Sequence, residues 1–231
     1  MHFLIIIVLF LLLLYGPQLW ARTVLARYHQ PREDFPGTGG EFARHLLDKF
    51  DLHQVRVEVI PPEMAAGDHY DPVAKAVRLT PDKLDGKTLT AVAVAAHEVG
   101  HALQDHFGYE PLVWRTRMVR IAQTAEKTGS GVMFVLPIVA AVTRSPGASA
   151  LMFFVGIATL GVSTLVHAIT LPVEWDASFG RAMPLLKKGE YLSERDLRAA
   201  KRILRACALT YLAASMASLL NVWRWLRLWR R

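Results

Sequence analysis

Long apolar runs alternate with charged stretches along this chain. Residues 3–14 are twelve consecutive apolar side chains, and Trp20 and Arg22 follow them. No Lys or Arg precedes the run and no clear small-residue cleavage site ends it, which argues against a signal peptide. The pattern therefore predicts an uncleaved N-terminal transmembrane anchor over residues 1–21, with the Trp and the Arg at the interface.

A second apolar block covers residues 128–172, where Arg144 is the only charged side chain. The turn sequence Arg144-Ser145-Pro146-Gly147 divides the block into two apolar segments, which together predict a transmembrane hairpin. A last apolar segment, residues 203–231, predicts a C-terminal helix that is either transmembrane or interfacial. The sequence thus predicts three or four spans.

The polar stretch between the first two blocks has the patterning of a folded domain. Apolar spacing predicts a helix over Glu41–Asp51, and alternation predicts strands over Val55–Val59 and Ala76–Thr80. A long, nearly uncharged helix follows from Leu89. We therefore expect a mainly α membrane protein with a small α+β domain at 22–127, in which short antiparallel strands precede the long helix. We interpret Ala76–Leu79 as an edge strand, free to pair with an extended peptide or simply packed.

Composition and charge narrow the class of protein. The chain has 231 residues, of which 52% are hydrophobic, and this is high for a soluble domain. Its net charge of +7 comes from basic residues that flank apolar segments, a pattern that indicates a lipid bilayer rather than nucleic acid as the partner. Cys207 is the only cysteine, which excludes an intrachain disulfide and a cysteine zinc site. The oligomeric state stays open.

The long helix contains the sequence His97-Glu98-Val99-Gly100-His101, an HExxH motif. Residues four apart lie on one helix face, so both imidazoles can bind one ion, and a glutamate beside the first can take a proton from a bound water. Eight small or apolar residues precede the motif, so polar side chains at this point need partners. The motif predicts a catalytic metal site that needs a third ligand.

Three segments resemble the bacterial membrane-bound neutral zinc metallopeptidases of the YugP type: Ala91–Asp105, Asp68–Pro72 and Leu171–Ser178. The resemblance extends over nearly the whole chain and includes the order of the apolar segments. It implies a zincin fold, zinc as the cofactor, hydrolysis of peptide bonds and a glutamate as the third metal ligand. At the position that resembles this ligand the chain has Glu174.

Topology is consistent with Glu174 as the third ligand. A hairpin over 128–172 returns the chain to the side of the membrane that it left, where His97 and His101 lie. Residues 173–202 are then a third-ligand helix and linker. Glu174 could instead be a helix-start carboxylate after Pro172. Asp176 is the rival carboxylate, which we expect to support a metal-bound histidine.

Other polar residues allow more than one interpretation. His69 and Tyr70 could position a substrate, brace the cleft or belong to a turn. His167 could stabilise a developing oxyanion or be hydrogen-bonded within a membrane bundle. His106 follows His101 by five residues, which directs it away from the ligand face.

The sequence therefore predicts a membrane-bound zinc metallopeptidase that acts on protein or peptide substrates through a zinc-activated water, with Glu98 as general base. Lys and Arg near the apolar segments place the catalytic domain on the cytoplasmic side of a bacterial plasma membrane, although the C-terminal arginines do not fit four spans. Two alternatives remain. One is an intramembrane protease of the CAAX type with a lipid-linked substrate, and the other is a non-enzymatic scaffold or chaperone with a structural zinc.

Overall fold

The computed structural model describes residues 2–61, 67–122 and 169–209, together with isolated helical positions between 124 and 166. Within residues 1–14, Leu12 is the only side chain that it describes. The predicted hairpin at 128–172 falls almost entirely outside these ranges, as do His167 and most of the predicted C-terminal helix.

Eight helices and three strands make up the described part of the chain. The helices are α1 (His2–Arg27), α2 (Gly39–Asp48), α3 (Pro81–Leu84), α4 (Leu89–His106), α5 (110–122), α6 (169–175), α7 (Met183–Lys188) and α8 (194–209); the strands are β1 (Arg56–Val59), β2 (His69–Asp71) and β3 (Ala76–Leu79). A π-helical segment, Asp176–Ala182, joins α6 to α7 without a break.

Capping fixes the starts of α2 and α4. Thr38 and Glu41 form a capping box, in which Thr38 Oγ accepts the Glu41 N–H and Glu41 Oε2 accepts the Thr38 N–H. The observed α2 covers most of the predicted helix but begins two residues earlier and ends three earlier. Thr88 Oγ likewise accepts the Ala91 N–H and caps α4.

The sheet differs from the predicted antiparallel arrangement. Its strand order is β1-β3-β2, with β1 parallel to β3 and β2 antiparallel to β3. The prediction was wrong for the first pair, because it took the segment between the two predicted strands as an irregular excursion. That segment contains β2, and after β2 the chain turns back into β3, which lies between the other two strands.

The position of β3 also rules out the predicted edge strand. Ala76–Leu79 pairs with β1 on one side and with β2 on the other, so neither side is free to bind a peptide. Three of its four side chains are buried, and β3 contributes Val77 and Leu79 to the core beneath α4.

The core is organised around α4. Every residue from Leu89 to Gln104 is buried, and α2, β3, the π-helical segment and α8 pack around this helix. A helix that is apolar on all faces is one that the fold encloses. The HExxH motif is therefore held in a rigid and almost dry setting.

Among the residues that the structure describes, no helix combines the length and apolar content needed to cross a membrane.

Candidate metal centre

Three buried side chains from two helices converge at one point. His97 and His101 come from successive turns of α4, and Glu174 comes from α6. Glu174 Oε2 lies 3.2 Å from His97 Nε2 and 3.3 Å from His101 Nε2. One ligand atom from each residue lies within 4.8 Å of the others, and all three residues are buried. The structure thus brings together the three residues that the sequence predicts as ligands.

Hydrogen bonding determines the tautomer of His97. Ser178 Oγ lies 3.0 Å from His97 Nδ1 and donates its single proton to the Leu204 carbonyl at 3.1 Å. Because that proton is used, Ser178 accepts the Nδ1–H of His97. In the neutral ring, Nε2 is left with a lone pair directed toward Glu174.

Gln104 fixes the tautomer of His101 in a similar way, through a hydrogen bond to its Nδ1. Its Nε2 amide group donates to the Val173 carbonyl and to Asp176 Oδ2, each at 2.8 Å. Its Oε1 is then the acceptor for His101 Nδ1, at 2.9 Å. Gln104 is fully buried, and both polar atoms of its side chain have hydrogen-bond partners. His101 Nε2 therefore also directs a lone pair toward the centre.

The positions of the histidine protons indicate whether these residues fit a metal ion. With both histidines neutral, two imidazole lone pairs and a carboxylate oxygen meet in a buried space. Such electron-pair donors repel one another unless a cation lies among them. Two histidines and a carboxylate are a common ligand set of catalytic zinc, and the orienting hydrogen bonds on Nδ1 are typical of metal-bound histidines. The residues fit the zinc site that the motif predicts.

Charge at the second oxygen of Glu174 is balanced from α5. Arg115 lies 3.3 Å from Glu174 Oε1, although no group in the described part of the chain is aligned to donate a hydrogen bond to that oxygen. Burial alone would raise the pKa of Glu174, but positive charge on His101 and His97 holds it well below its usual range, and a metal cation at the same point acts in the same direction. Glu174 is therefore a carboxylate. Arg115 is one of the basic residues that flank the apolar segments of the sequence, and its contact with Glu174 is not predicted from that pattern.

Glu98 follows the ligand His97 directly in α4, and its carboxylate has no hydrogen-bond partner in the described part of the chain. Glu98 is 5% exposed. Burial raises the pKa of Glu98 to about 7, with His97 opposing that rise and Glu174 adding to it. A carboxyl group with such a pKa can both accept and release a proton near neutral pH.

A close approach of two backbones holds the centre together. A Cβ atom added to Gly100, inside the HExxH motif, would lie 2.6 Å from the Ala177 carbonyl oxygen. Only glycine lets the π-helical segment approach α4 so closely. π-helical turns are frequent at functional sites, and this one keeps Glu174 and Ser178 facing the same side of α4.

The remaining predicted site residues support the structure around the centre. Asp176 is not part of the triad; it accepts hydrogen bonds from Gln104 and Arg181, and so supports His101 through Gln104. Tyr70 donates its hydroxyl proton to Asp105 on α4, and His69 Nδ1 bonds to the Gly67 carbonyl. His106 is exposed, as its spacing predicts.

Sequence reasoning missed Ser178 and Gln104. Both positions carried a usable signal, since Gln104 follows His101 by one turn and Ser178 follows Glu174 by one turn. The Ser178 hydroxyl supports His97.

Comparison with known proteins agrees with this class of metal site. Residues 3–230 match a family whose description reads "Putative neutral zinc metallopeptidase". The chain belongs to that family of zinc metallopeptidases, and zinc is its cofactor. It is also 32% identical over 213 residues to "Putative membrane protease YugP" of Bacillus subtilis, an alignment that covers 90% of each chain. No solved structure matches the chain.

Proposed function

We propose that this protein is a membrane-bound metallopeptidase that hydrolyses peptide bonds of protein or peptide substrates. The observation that carries the proposal is the arrangement at α4, where three unprotonated ligand atoms converge beside a carboxylate that has no hydrogen-bond partner among the described residues. A purely structural metal site has no use for such a carboxylate, which favours an enzyme over a scaffold.

In this proposal His97, His101 and Glu174 hold the metal. Each is kept in position by a group already described: Ser178 orients His97, Gln104 orients His101 and Arg115 faces Glu174. Bound zinc supplies Lewis acidity, which polarises a peptide carbonyl and makes a water molecule more acidic.

Glu98 handles the protons of the reaction. Its carboxylate accepts the proton of the attacking water and then gives it to the amine that leaves. Burial favours this exchange, because a carboxyl whose pKa is raised to about 7 can accept the proton of the water and pass it on to a more basic amine near neutral pH.

The proposed location is a bacterial plasma membrane, with the catalytic domain on its cytoplasmic side. Support comes from the name of the Bacillus subtilis relative and from the apolar runs at 3–14 and 128–172 of the sequence. A peptidase held at that surface would meet substrates in or near the bilayer.

The test compares the full chain with Glu98→Gln and Glu174→Ala, measuring bound zinc and peptide hydrolysis on each. We expect Glu98→Gln to keep its zinc and to lose about 10²–10⁴ of its kcat, and Glu174→Ala to lose zinc and activity together. Glu194→Gln, at an exposed position on α8, is the matched control and should behave as wild type. Turnover preserved in Glu98→Gln would overturn the assignment of the base. Zinc retained in Glu174→Ala would move the third ligand to another residue.

A further inference from the structure

An open cavity of about 940 Å³ lies at the opposite end of α4 from the HExxH motif. Its wall combines the end of α1, the loop after it, Leu89 at the start of α4 and the first half of α8. Leu89 precedes His97 by eight residues, which corresponds to about 12 Å along the helix axis. The cavity is therefore a site separate from the metal centre.

The cavity is strongly cationic. Five arginines and two aspartates line it, a net charge of +3, and the lining has no lysine, glutamate or histidine. One arginine, Arg32, is fully committed: it binds both oxygens of Asp196, at 2.7 and 3.1 Å, and also pairs with Asp34. This triad uses both acidic groups of the wall. Within the described part of the chain, the other four arginines form no ion pair with a carboxylate.

Three of these four lie on one face of α8. Arg195, Arg198 and Arg202 have the spacing i, i+3, i+7, which places their side chains in one row. Arg202 Nη1 lies 3.4 Å from the Tyr28 hydroxyl oxygen. Arg27, at the end of α1, also lines the cavity. Like charges placed side by side repel, and this cost is relieved when an anion binds between them.

Guanidinium groups are suited to phosphate. Their planar donor forks pair with two oxygens at once, which a point charge such as a lysine ammonium cannot do. The apolar wall residues, including Tyr28, Phe35 and Leu89, would contact the carbon part of a phosphate ester. The volume exceeds that of an inorganic anion, so a larger phosphate ester fits better.

The end of α1 forms part of the cavity wall, and the position of α1 relative to the membrane indicates which phosphate ester would bind there. The sequence places the end of the membrane anchor near residue 21, and Arg27 follows six residues later, about 9 Å further along a helix. Lipid headgroups occupy roughly 5–8 Å on each side of the hydrocarbon core. Arg27 thus lies at the outer boundary of the headgroup layer, where its long side chain can reach lipid phosphates, if the anchor spans as the sequence predicts. Two bonds from α4 fix α1 there, since Thr90 donates to Leu25 and Tyr28 carbonyls at 2.8 and 3.2 Å.

We propose that this cavity binds the phosphate of an anionic phospholipid headgroup through Arg195, Arg198 and Arg202. It is a lipid site on the catalytic domain itself, separate from the metal centre. Because α8 also carries the Leu204 carbonyl that bonds to Ser178, the helix that binds the lipid contacts the support of His97.

The test uses the full chain in detergent, stripped of metal, and native mass spectrometry with phosphatidylglycerol or phosphatidylcholine. Lipid binding does not require peptidase activity, so this proposal and the proposed function can fail separately. We expect wild type to bind phosphatidylglycerol at least tenfold more tightly than phosphatidylcholine. Arg195→Gln/Arg198→Gln should remove that preference, whereas Arg120→Gln/Lys188→Gln, which loses the same charge outside the cavity, should keep it. Arg195→Lys/Arg198→Lys keeps the charge and should retain only part of the preference.

Two competitors identify the source of the phosphate. Hexaglutamate should not displace the lipid at equal concentration, and sn-glycerol 3-phosphate should displace it only at much higher concentration. Equal binding of both lipids, or an unchanged preference in the glutamine pair, would overturn the proposal. Displacement by glycerol phosphate at equal concentration would assign the cavity to soluble phosphate esters instead of lipid, and displacement by hexaglutamate would remove the specificity for phosphate.

Discussion

Ser178 Oγ lies 3.0 Å from His97 Nδ1 and at the same time donates to the Leu204 carbonyl. A serine hydroxyl has a single proton, so the direction of the second bond fixes the direction of the first. One buried side chain of the π-helical segment thereby sets which nitrogen of His97, a proposed metal ligand, is free to bind.

Ser178→Ala should weaken zinc binding about 10–100-fold, the usual effect of removing a partner that orients a metal-bound histidine. His97 Nδ1–H would then lack an acceptor, and the ring could rotate or change tautomer. The measurement is a competition titration with a zinc chelator. Thr170→Val is the control, because it removes another buried hydroxyl, one that donates to the Val166 carbonyl and not to a proposed metal ligand. Equal zinc affinity in wild type and Ser178→Ala would show that His97 needs no such support.

Gln104→Leu should cost about 2–5 kcal/mol of unfolding free energy, because it leaves buried partners unsatisfied at His101, Val173 and Asp176. Chemical unfolding of the metal-free protein measures this loss without contribution from zinc. Gln104→Glu separates the roles of the amide: it still accepts from His101 but cannot donate to Val173 or Asp176. We expect this variant to be destabilised as well, and a stability equal to that of wild type would contradict the hydrogen bonds assigned to the amide.

Gly100→Ala should destabilise the protein by about 1–3 kcal/mol, although alanine is the better helix former. The added Cβ meets the backbone of Ala177, which can move only if the whole π-helical segment moves. Zinc affinity should fall in parallel, since Glu174 lies on the same continuous stretch. Gly67→Ala is the control, as no atom lies within 4 Å of its added Cβ. A stabilised Gly100→Ala variant would disprove the tight contact.

Tyr70→Phe tests whether the Tyr70 hydroxyl stabilises the fold or takes part in catalysis. The Tyr70 hydroxyl donates to Asp105, so its loss should lower the unfolding free energy by about 1–3 kcal/mol. At the same time kcat/KM should stay within about twofold of wild type, because the hydroxyl is engaged away from the ligand atoms. A large fall in kcat/KM with unchanged stability would return Tyr70 to the catalytic machinery.

Peptidase activity should fall as the pH drops through the pKa of Glu98. Burial raises this pKa to about 7, and the base works only as the carboxylate, so activity is present above the pKa and lost below it. A bound dication favours the carboxylate, which puts the midpoint of kcat/KM at or below 7. Zinc content measured at each pH separates protonation of Glu98 from loss of the metal. Full activity at pH 4 with zinc bound would exclude Glu98 as the base.

Parts of this structure could be read from the sequence because they depend on local rules. Four-residue spacing on a helix places His97 and His101 together, and a buried helix requires the small apolar run that precedes them. The sheet could not be predicted in the same way. β2 has three residues, too few for an alternation pattern, and the parallel pairing of β1 with β3 depends on contacts that only the folded chain makes. The contact between Arg115 and Glu174 could not be predicted either, because a basic residue before an apolar segment has the same local pattern whether it faces lipid or a buried carboxylate.

The two halves of the metal centre are far apart in the chain, since Glu174 follows His101 by 73 residues. During synthesis the two histidines leave the ribosome well before the glutamate and Ser178, which arrive together on one stretch. A nascent chain therefore offers an ion only two ligands, one of them without its support, and such a pair holds zinc weakly. Tight loading has to wait until almost the whole catalytic domain exists. An unfinished or truncated chain should therefore bind zinc weakly, and the order of translation itself delays assembly of the metal centre until the fold can enclose it.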